Sequence, residues 1–370
     1  MKNTFGTSVC TTLFGESHGA EIGAVLDGMA PGVRVDEGWI ASRLALRRPA
    51  GDISTGRREA DAFRIASGVK DGRTTGTPIC ILIPNGDARS GDYESWRGLA
   101  RPGHADWTGY CKFHGFEDWR GGGHFSGRLT APLVAAGAIA QAALAGRGIR
   151  IGTHLARAAG VEDRPFGDLE VDLAALENLP FAMLDGGAAE RAQAAIRDAA
   201  SAGDSVGGVL ETAVLGLPAG VGEPWFDTVE GVLAHALFSI PGVKGVEFGA
   251  GFALAEMRGS GANDAFRETT GGRVATATNR AGGVNGGITN GMPLVVRCAV
   301  KPTPSIAREQ ETVDFLKGGN AVLELRGRHD PAIVHRARAV ADAVVALALC
   351  DLLALRFGTD WLAGEKGGTP

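Results

Sequence analysis

The sequence predicts an α+β protein built from two similarly designed halves, and three observations lead there. Residues 63–69 and 78–83 are strand-like runs separated by the turn-rich stretch 70–77, which reads as an antiparallel pair. Residues 131–144 and 331–357 are long, apolar and rich in small side chains, so they read as interior helices. The order strand, Pro/Gly turn, helix occurs twice. It runs through residues 23–27 and 28–33 to a helix opening at Asp36, then through 204–211 and 216–221 to a helix opening at Asp227. The chain is expected to be a single domain over 1–370 with a weak internal repeat, its halves spanning about 1–150 and 200–358.

Composition narrows the class further. Charged residues make up 21 % and hydrophobic ones 44 % of 370 residues, an ordinary balance for a globular chain with a sizeable core. Glycine is unusual: its 57 copies are about twice the average share of roughly 7 %, spread without period, which implies many tight turns and close backbone approaches. A net charge of −5 argues against nucleic-acid binding, so an anionic ligand must be held by local arginines. Cys10, Cys80, Cys111, Cys298 and Cys350 show no CxxC spacing, so neither a metal site nor a disulfide scaffold is expected. Residues 1–6 lack a signal-peptide core and no run of about 18 apolar residues is evident, so the expected place is the cytoplasm, without membrane contact.

Taken in order, Thr11 to Gly19 leads into the strand 22–26 and the turn 27–32. The helix capped by Asp36 carries Trp39, Ile40, Leu44 and Leu46 and ends at Arg47-Arg48-Pro49. Two arginines in a last helical turn complement the helix dipole; with Arg57-Arg58-Glu59 close behind, they also keep positive charge in one neighbourhood. Residues 152–184 offer strand-like beginnings and turns, and 188–202 reads as a surface helix with a solvated charged face. The glycine-dense stretches 239–251 and 282–291 do not fit a dinucleotide fingerprint. The strand 292–300 delivers Lys301-Pro302-Thr303-Pro304-Ser305, a rigid anion hook or an ordinary turn. Asp330 precedes Pro331 at the head of the last helix and reads as its cap.

Chemistry concentrates in Arg101-Pro102-Gly103-His104-Ala105-Asp106 and in the run from Asp118 to Arg128, which place histidine, arginine, hydroxyl and carboxylate on glycine-rich backbone. Glycine lets main-chain N–H groups close on a ligand, arginine offers a planar fork to carboxylate or phosphate, and histidine titrates near neutrality. The small-residue helix that follows would aim its N-terminus at the same ligand.

Together with Gly15-Glu16-Ser17-His18-Gly19, Arg120-Gly121-Gly122-Gly123, Lys301-Pro302-Thr303 and Gly327-Arg328-His329-Asp330-Pro331, these motifs closely resemble the chorismate synthase family. The likeness extends to Thr74-Thr75-Gly76-Thr77-Pro78-Ile79, Gly137-Ala138-Ile139-Ala140, Gly203-Asp204-Ser205 and Val243-Lys244-Gly245-Val246-Glu247, in order and nearly end to end. The resemblance implies a β-α-β sandwich with long helices between two antiparallel sheets, usually assembled as a homotetramer. It implies anti 1,4-elimination of phosphate from 5-enolpyruvylshikimate 3-phosphate to chorismate, the last step of the shikimate pathway. Reduced FMN is required without net redox; the enzyme either reduces its own FMN with NADPH or takes it from an external flavin reductase for which NADPH is the indirect electron source, and the lack of a large insertion favours the second. An alternative on the same scaffold is a flavin-dependent oxidoreductase.

By position, the resemblance implies that His18 polarises or protonates the leaving phosphate and that His104 serves the flavin. Asp330, Ser17 and Ser126 relay a proton at the flavin nitrogen, and Arg47, Arg48, Arg101, Arg128 and Arg328 hold substrate. Ser126, Gly286, Lys301, Pro302, Thr303, Ser305 and Arg328 match FMN-holding positions. Departures from the family pattern also stand out. The usual Arg-Ser-Ser-Ala-Arg-Glu-Thr is His124-Phe125-Ser126-Gly127-Arg128-Leu129-Thr130, a usual serine is Pro304, a common Asn-Ala pair is Pro241-Gly242, and an arginine after Arg48-Pro49 is absent. His124 could replace the lost positive contact to the flavin.

Overall fold

The computed structural model describes residues 2–49, 51–54, 61–86, 96–177, 179–325 and 330–364. Arg57, Arg58, Glu59, Gly327, Arg328 and His329, singled out above, lie outside them. Eight α-helices occur among the described residues: α1 (Glu37–Arg47), α2 (Asp106–Phe113), α3 (Thr130–Ala145), α4 (Leu169–Leu176), α5 (Gly186–Ser201), α6 (Val229–Phe238), α7 (Gly259–Ala262) and α8 (Val334–Phe357).

Two five-stranded sheets, each antiparallel throughout, sandwich the main helices. The first runs Thr4–Phe5, Cys10–Gly15, Glu21–Asp27, Ile79–Pro84, Arg64–Ser67. The second runs Val243–Phe248, Leu294–Val300, Gly208–Leu215, Arg150–Ala158, Val161–Glu162. Alternation in Ile79–Pro84 explains the placement: Ile79, Ile81 and Ile83 are fully buried, and an antiparallel strand with one face on a core must alternate in this way.

The helix α3 packs on the first sheet, α8 on the second, and the two helices pack on each other, so the helical layer is covered on both sides. Helices buried all round need small residues where they cross. A Cβ on Gly137 would stand 2.2 Å from Ala343 Cβ and 2.5 Å from its Cα, so only glycine permits this approach. Residues 127–145 are, by length and composition, apolar enough to cross a membrane, which corrects the expectation that no such run exists; 78 % of that window is buried between the sheets. Alanine and glycine make it apolar without bulk, which is what a packed interior helix requires.

Local expectations hold unevenly. Asp36 caps α1 by accepting from Trp39 N–H, as expected. The stretch 152–184 contains α4, which sequence reading missed; its cap Asp168 accepts from Glu170 and Val171 N–H. Helix α6 is capped by Thr228, one residue after the expected start. Asp330 does not cap the last helix. That helix starts at Val334 with Ile333 in the cap position, and the Asp330 carboxylate is engaged by Arg336 instead.

Candidate active site

Three consecutive glycines shape the site. Gly121, Gly122 and Gly123 have φ of 59°, 82° and 52°, a left-handed run that side chains with a Cβ rarely adopt. The backbone thus curls tightly enough for both histidines to lie against it. A Cβ on Gly121 would fall 2.2 Å from His18 Cε1, and one on Gly122 would fall 3.1 Å from His104 Cε1. Ser17 N–H donates to the Gly123 carbonyl at 3.1 Å, fastening the loop that carries His18 to the glycines.

His104 is oriented from behind. Its Nδ1 lies 3.0 Å from both Asp106 Oδ1 and Arg101 Nη2, and its Nε2 faces the glycine run. Arg101 grips the same carboxylate through its backbone N–H (2.9 Å), Nε (2.8 Å) and Nη2 (2.6 Å). Burial raises the Asp106 pKa, but the hydrogen bonds from Arg101 and His104 outweigh it and hold the carboxyl well below the usual carboxylate range. Asp118 and Arg120 form a second bidentate pair at 2.8 Å, closing the turn before the glycines.

His124 borders the same space, and its Nδ1 bonds the Gly15 carbonyl at 2.8 Å, pinning the end of strand Cys10–Gly15. Phe125 packs edge-on against Phe113 and fills the space beside Gly109, where a Cβ would stand 2.8 Å from the ring.

The far wall is cationic. Arg47 Nη2 reaches Asp61 Oδ2 at 3.1 Å, and Arg128 Nη1 donates to Asp61 Oδ1. Arg128 Nε also donates to Asn85 Oδ1 at 3.1 Å, while Asn85 Nδ2 donates to the Glu16 and Gly19 carbonyls. Arg336 Nε donates to the Arg47 carbonyl at 2.7 Å and its Nη1 to Asp330. On the opposite lip, the Ser205 hydroxyl donates to the Thr303 carbonyl at 2.7 Å and Arg308 pairs with Asp204 at 2.8 Å, so Gly203-Asp204-Ser205 anchors the Lys301–Ser305 turn. Burial and then the nearby Lys244 charge lower the Lys301 pKa from its ordinary value.

These walls enclose a cavity of about 1380 Å³, above the roughly 300 to 1000 Å³ of an ordinary small-ligand pocket. It brings together most of the expected residues: Ser17, His18, Arg47, Arg101, His104, Ser126, Arg128, Lys301, Pro302, Thr303, Ser305 and Asp330. Ser126 Oγ accepts from Arg128 N–H at 3.3 Å, at the start of a single 3₁₀ turn. Two expected residues stand apart. Arg48 is not in the lining, and its Nε is buried without a hydrogen-bond partner behind the α1 terminus. Gly286, with φ of 60°, sits at the tip of the hairpin joining Val284–Asn285 to Ile288–Thr289 and not on the cavity wall. Arg328 lies outside the described residues.

Sequence reading missed Arg336, Asp61 and Asn85, and noted Lys244 only as part of a motif, without a role at the site. A signal existed for Arg336, because a charged residue near the start of a helix as apolar as α8 must find a partner. None existed for Asp61 and Asn85, whose roles arise only from chain crossing.

The match with known proteins is extensive. The family model described as chorismate synthase matches residues 9–354. The chain belongs to the chorismate synthase family. It is 45 % identical over 377 residues to the chorismate synthase of Aeropyrum pernix, covering 99 % of each chain. It is 47 % identical over 350 residues to that of Methanocella arvoryzae, covering 94 % and 93 %. It is 48 % identical over 351 residues to that of Thermococcus gammatolerans, covering 95 % and 97 %. A chorismate synthase crystal structure superposes with a TM-score of 0.75 at 28 % identity, covering 96 % of this chain and 94 % of that one. The chain is therefore an enzyme of the lyase type, and its α+β sandwich is the family fold.

Proposed function

We propose that this enzyme converts 5-enolpyruvylshikimate 3-phosphate to chorismate by anti 1,4-elimination of phosphate, with reduced FMN bound, as the last step of the shikimate pathway. The observation that carries this reading is the cavity itself. It sets two histidines against one glycine run among arginines and lysines, in a chain whose net charge is −5. Substrate and flavin bring two carboxylates and two phosphates, and several guanidinium forks are needed to hold them.

The residues suit FMN. Thr303 Oγ1 is buried without a partner on the Lys301–Ser305 turn, and the Lys244 charge disfavours the charged form of Lys301, a repulsion that a bound phosphate would relieve. Lys301, Pro302, Thr303, Ser305 and Ser126 would hold the cofactor, with Arg328 and Gly286 carried over from the motif resemblance alone. When bound, reduced flavin supplies transient electron density that lets phosphate leave although the departing hydrogen is not acidic, and recovers it.

The chain's own groups do the rest. His18, steadied by the glycine run, would polarise or protonate the departing phosphate oxygen. His104 would exchange a proton at Nε2, since its Nδ1 is engaged by Asp106 and Arg101. Asp330, kept in place by Arg336, would pass a proton onward with Ser17 and Ser126. Arg47, Arg101 and Arg128 would neutralise the substrate, with Arg48 supporting the end of α1. The same reading makes the enzyme a cytoplasmic, single-domain homotetramer with duplicated halves, supplied with reduced FMN by an external reductase that draws on NADPH.

The test is anaerobic: purified enzyme, chemically reduced FMN and 5-enolpyruvylshikimate 3-phosphate, with chorismate and phosphate followed together. Equal amounts of both without net flavin oxidation, lost in His104→Ala, are expected. Consumption of reduced flavin in step with a reduced product would overturn the reading and favour a flavin-dependent oxidoreductase.

A further inference from the structure

Asp61 lies outside every motif that led to the site, yet it joins two of its arginines. Its side chain is fully buried, with 0 % exposure, and it accepts from Arg47 at 3.3 Å (Oδ1) and 3.1 Å (Oδ2) and, at Oδ1, from Arg128. These arginines come from different elements, the end of α1 and the 3₁₀ turn before α3. Both border the cavity, whereas Asp61 is not part of its lining. Asp61 thus sits behind the two guanidiniums and away from the space a ligand would fill.

Backbone geometry points the same way. Asp61 has φ of 48°, a left-handed conformation that costs a non-glycine residue energy and persists only where the surroundings over-determine it. Two like-charged guanidiniums side by side repel, and a carboxylate bonded to both can hold them at a fixed spacing. Arg128 is further fixed by Asn85, so its remaining freedom is small.

We propose that Asp61 is a positioning residue that sets the spacing of Arg47 and Arg128 for the anionic groups of the substrate. The proposal rests on the elimination reaction proposed above. It predicts an effect on substrate affinity in place of an effect on chemistry. Asp61 touches no reacting atom, and the two arginines would engage substrate and transition state alike, a loss that raises KM and leaves kcat.

The experiment is steady-state kinetics of Asp61→Asn under anaerobic conditions with chemically reduced FMN, with circular dichroism to establish folding. KM for 5-enolpyruvylshikimate 3-phosphate is expected to rise about 10- to 100-fold with kcat changed less than about threefold. In the cycle with Arg128→Lys, the double variant is expected to have a KM well below the product of the two single effects, because both changes disturb one arrangement. An unchanged KM, equal losses in kcat and KM, or strict multiplicativity in the cycle would overturn the proposal. Should Asp61→Asn not fold, Asp61→Glu carries the test. It keeps the charge and displaces the carboxylate by one methylene, so KM must still rise; an unchanged KM overturns the proposal. If the wild-type enzyme forms no chorismate, the elimination reading fails. Calorimetric affinity for 5-enolpyruvylshikimate 3-phosphate, wild type against Asp61→Asn, then decides Asp61 by itself.

Discussion

Replacing Gly121 by alanine should separate catalysis from folding. The added Cβ would stand 2.2 Å from His18 Cε1, 2.4 Å from its Nδ1 and 3.0 Å from Ser17 Oγ. Ordinary carbon contacts begin near 3.4 Å, so the imidazole must retreat by roughly 1.2 Å or the glycine run must uncurl. A displacement of about 1 Å at a catalytic group costs on the order of 100-fold in rate. The backbone cost is separate: alanine at φ of 59° pays about 1 to 2 kcal/mol, within the stability of most domains, so the variant should fold. Activity is read from anaerobic chorismate formation and stability from thermal melting. The control is Gly186→Ala, at the first residue of α5, where a Cβ meets nothing within 4 Å. It should keep full activity and gain up to about 1 kcal/mol of helix propensity. A Gly121→Ala enzyme with wild-type kcat would refute the idea that the glycine seats His18.

Two further outcomes follow from the charge network. Asp106→Asn leaves the volume unchanged but removes the carboxylate that orients His104 and holds Arg101, so kcat should drop by about 10- to 100-fold, measured across pH. Because the folded Asp106 pKa is depressed, its contribution to stability is present above about pH 3.9 and is lost as pH falls toward the folded value. The variant should therefore melt with a flatter acid limb, and identical acid limbs would count against the pairing. His154, which is not part of the cavity lining, is fully buried between Asp163 (2.8 Å) and Glu211 (3.0 Å). Burial lowers its pKa, but the two carboxylate hydrogen bonds prevail and raise it. Its stabilisation is then complete below about pH 6.5 and is lost as pH rises through the folded value. His154→Gln should remove that loss, which melting at pH 6 and pH 9 would reveal, and an unchanged slope would exclude it.

How far the sequence disclosed all this depends on what kind of constraint each residue obeys. Strand alternation in Ile79–Pro84 and the cap Asp36 are local, and both were legible. His104 was legible in its own Arg101–Asp106 segment, whereas His18 stood out only through the motif resemblance. The helix α4 was not legible, since its eight residues lie in a stretch full of turn formers and much of its support is tertiary: packing on strands Arg150–Ala158 and Gly208–Leu215 and the bond from Arg338. The cap role expected of Asp330 failed for a related reason. A local preference for capping lost to Arg336, a partner six residues on. Asp61 and Asn85 illustrate the limit most clearly, since each meets Arg128 across more than 40 positions of chain.

The central helix α8 shows why such distant pieces meet reproducibly. It is buried over nearly its whole length, yet it carries Arg336, Arg338, Asp342 and Asp351, and a buried polar group destabilises the fold unless its partners are in place. Each has them. Asp351 accepts from the N–H groups of Thr7, Ser8 and Val9, which fixes the entry to strand Cys10–Gly15 and so the loop bearing Ser17 and His18. Asp342 accepts from Thr153 at 2.6 Å in the second sheet, and Arg338 donates to the Leu176 carbonyl at 3.0 Å, docking the end of α4. Arg336 bonds the Arg47 carbonyl and Asp330 at the cavity. Hydrophobic burial alone would tolerate sliding or rotation of a smooth alanine-rich helix, because apolar contacts are non-directional. These four side chains accept only one register, and that register sets α1, the His18 loop and Asp330 around one space. The specificity of the core and the geometry of the site are thus consequences of the same polar groups.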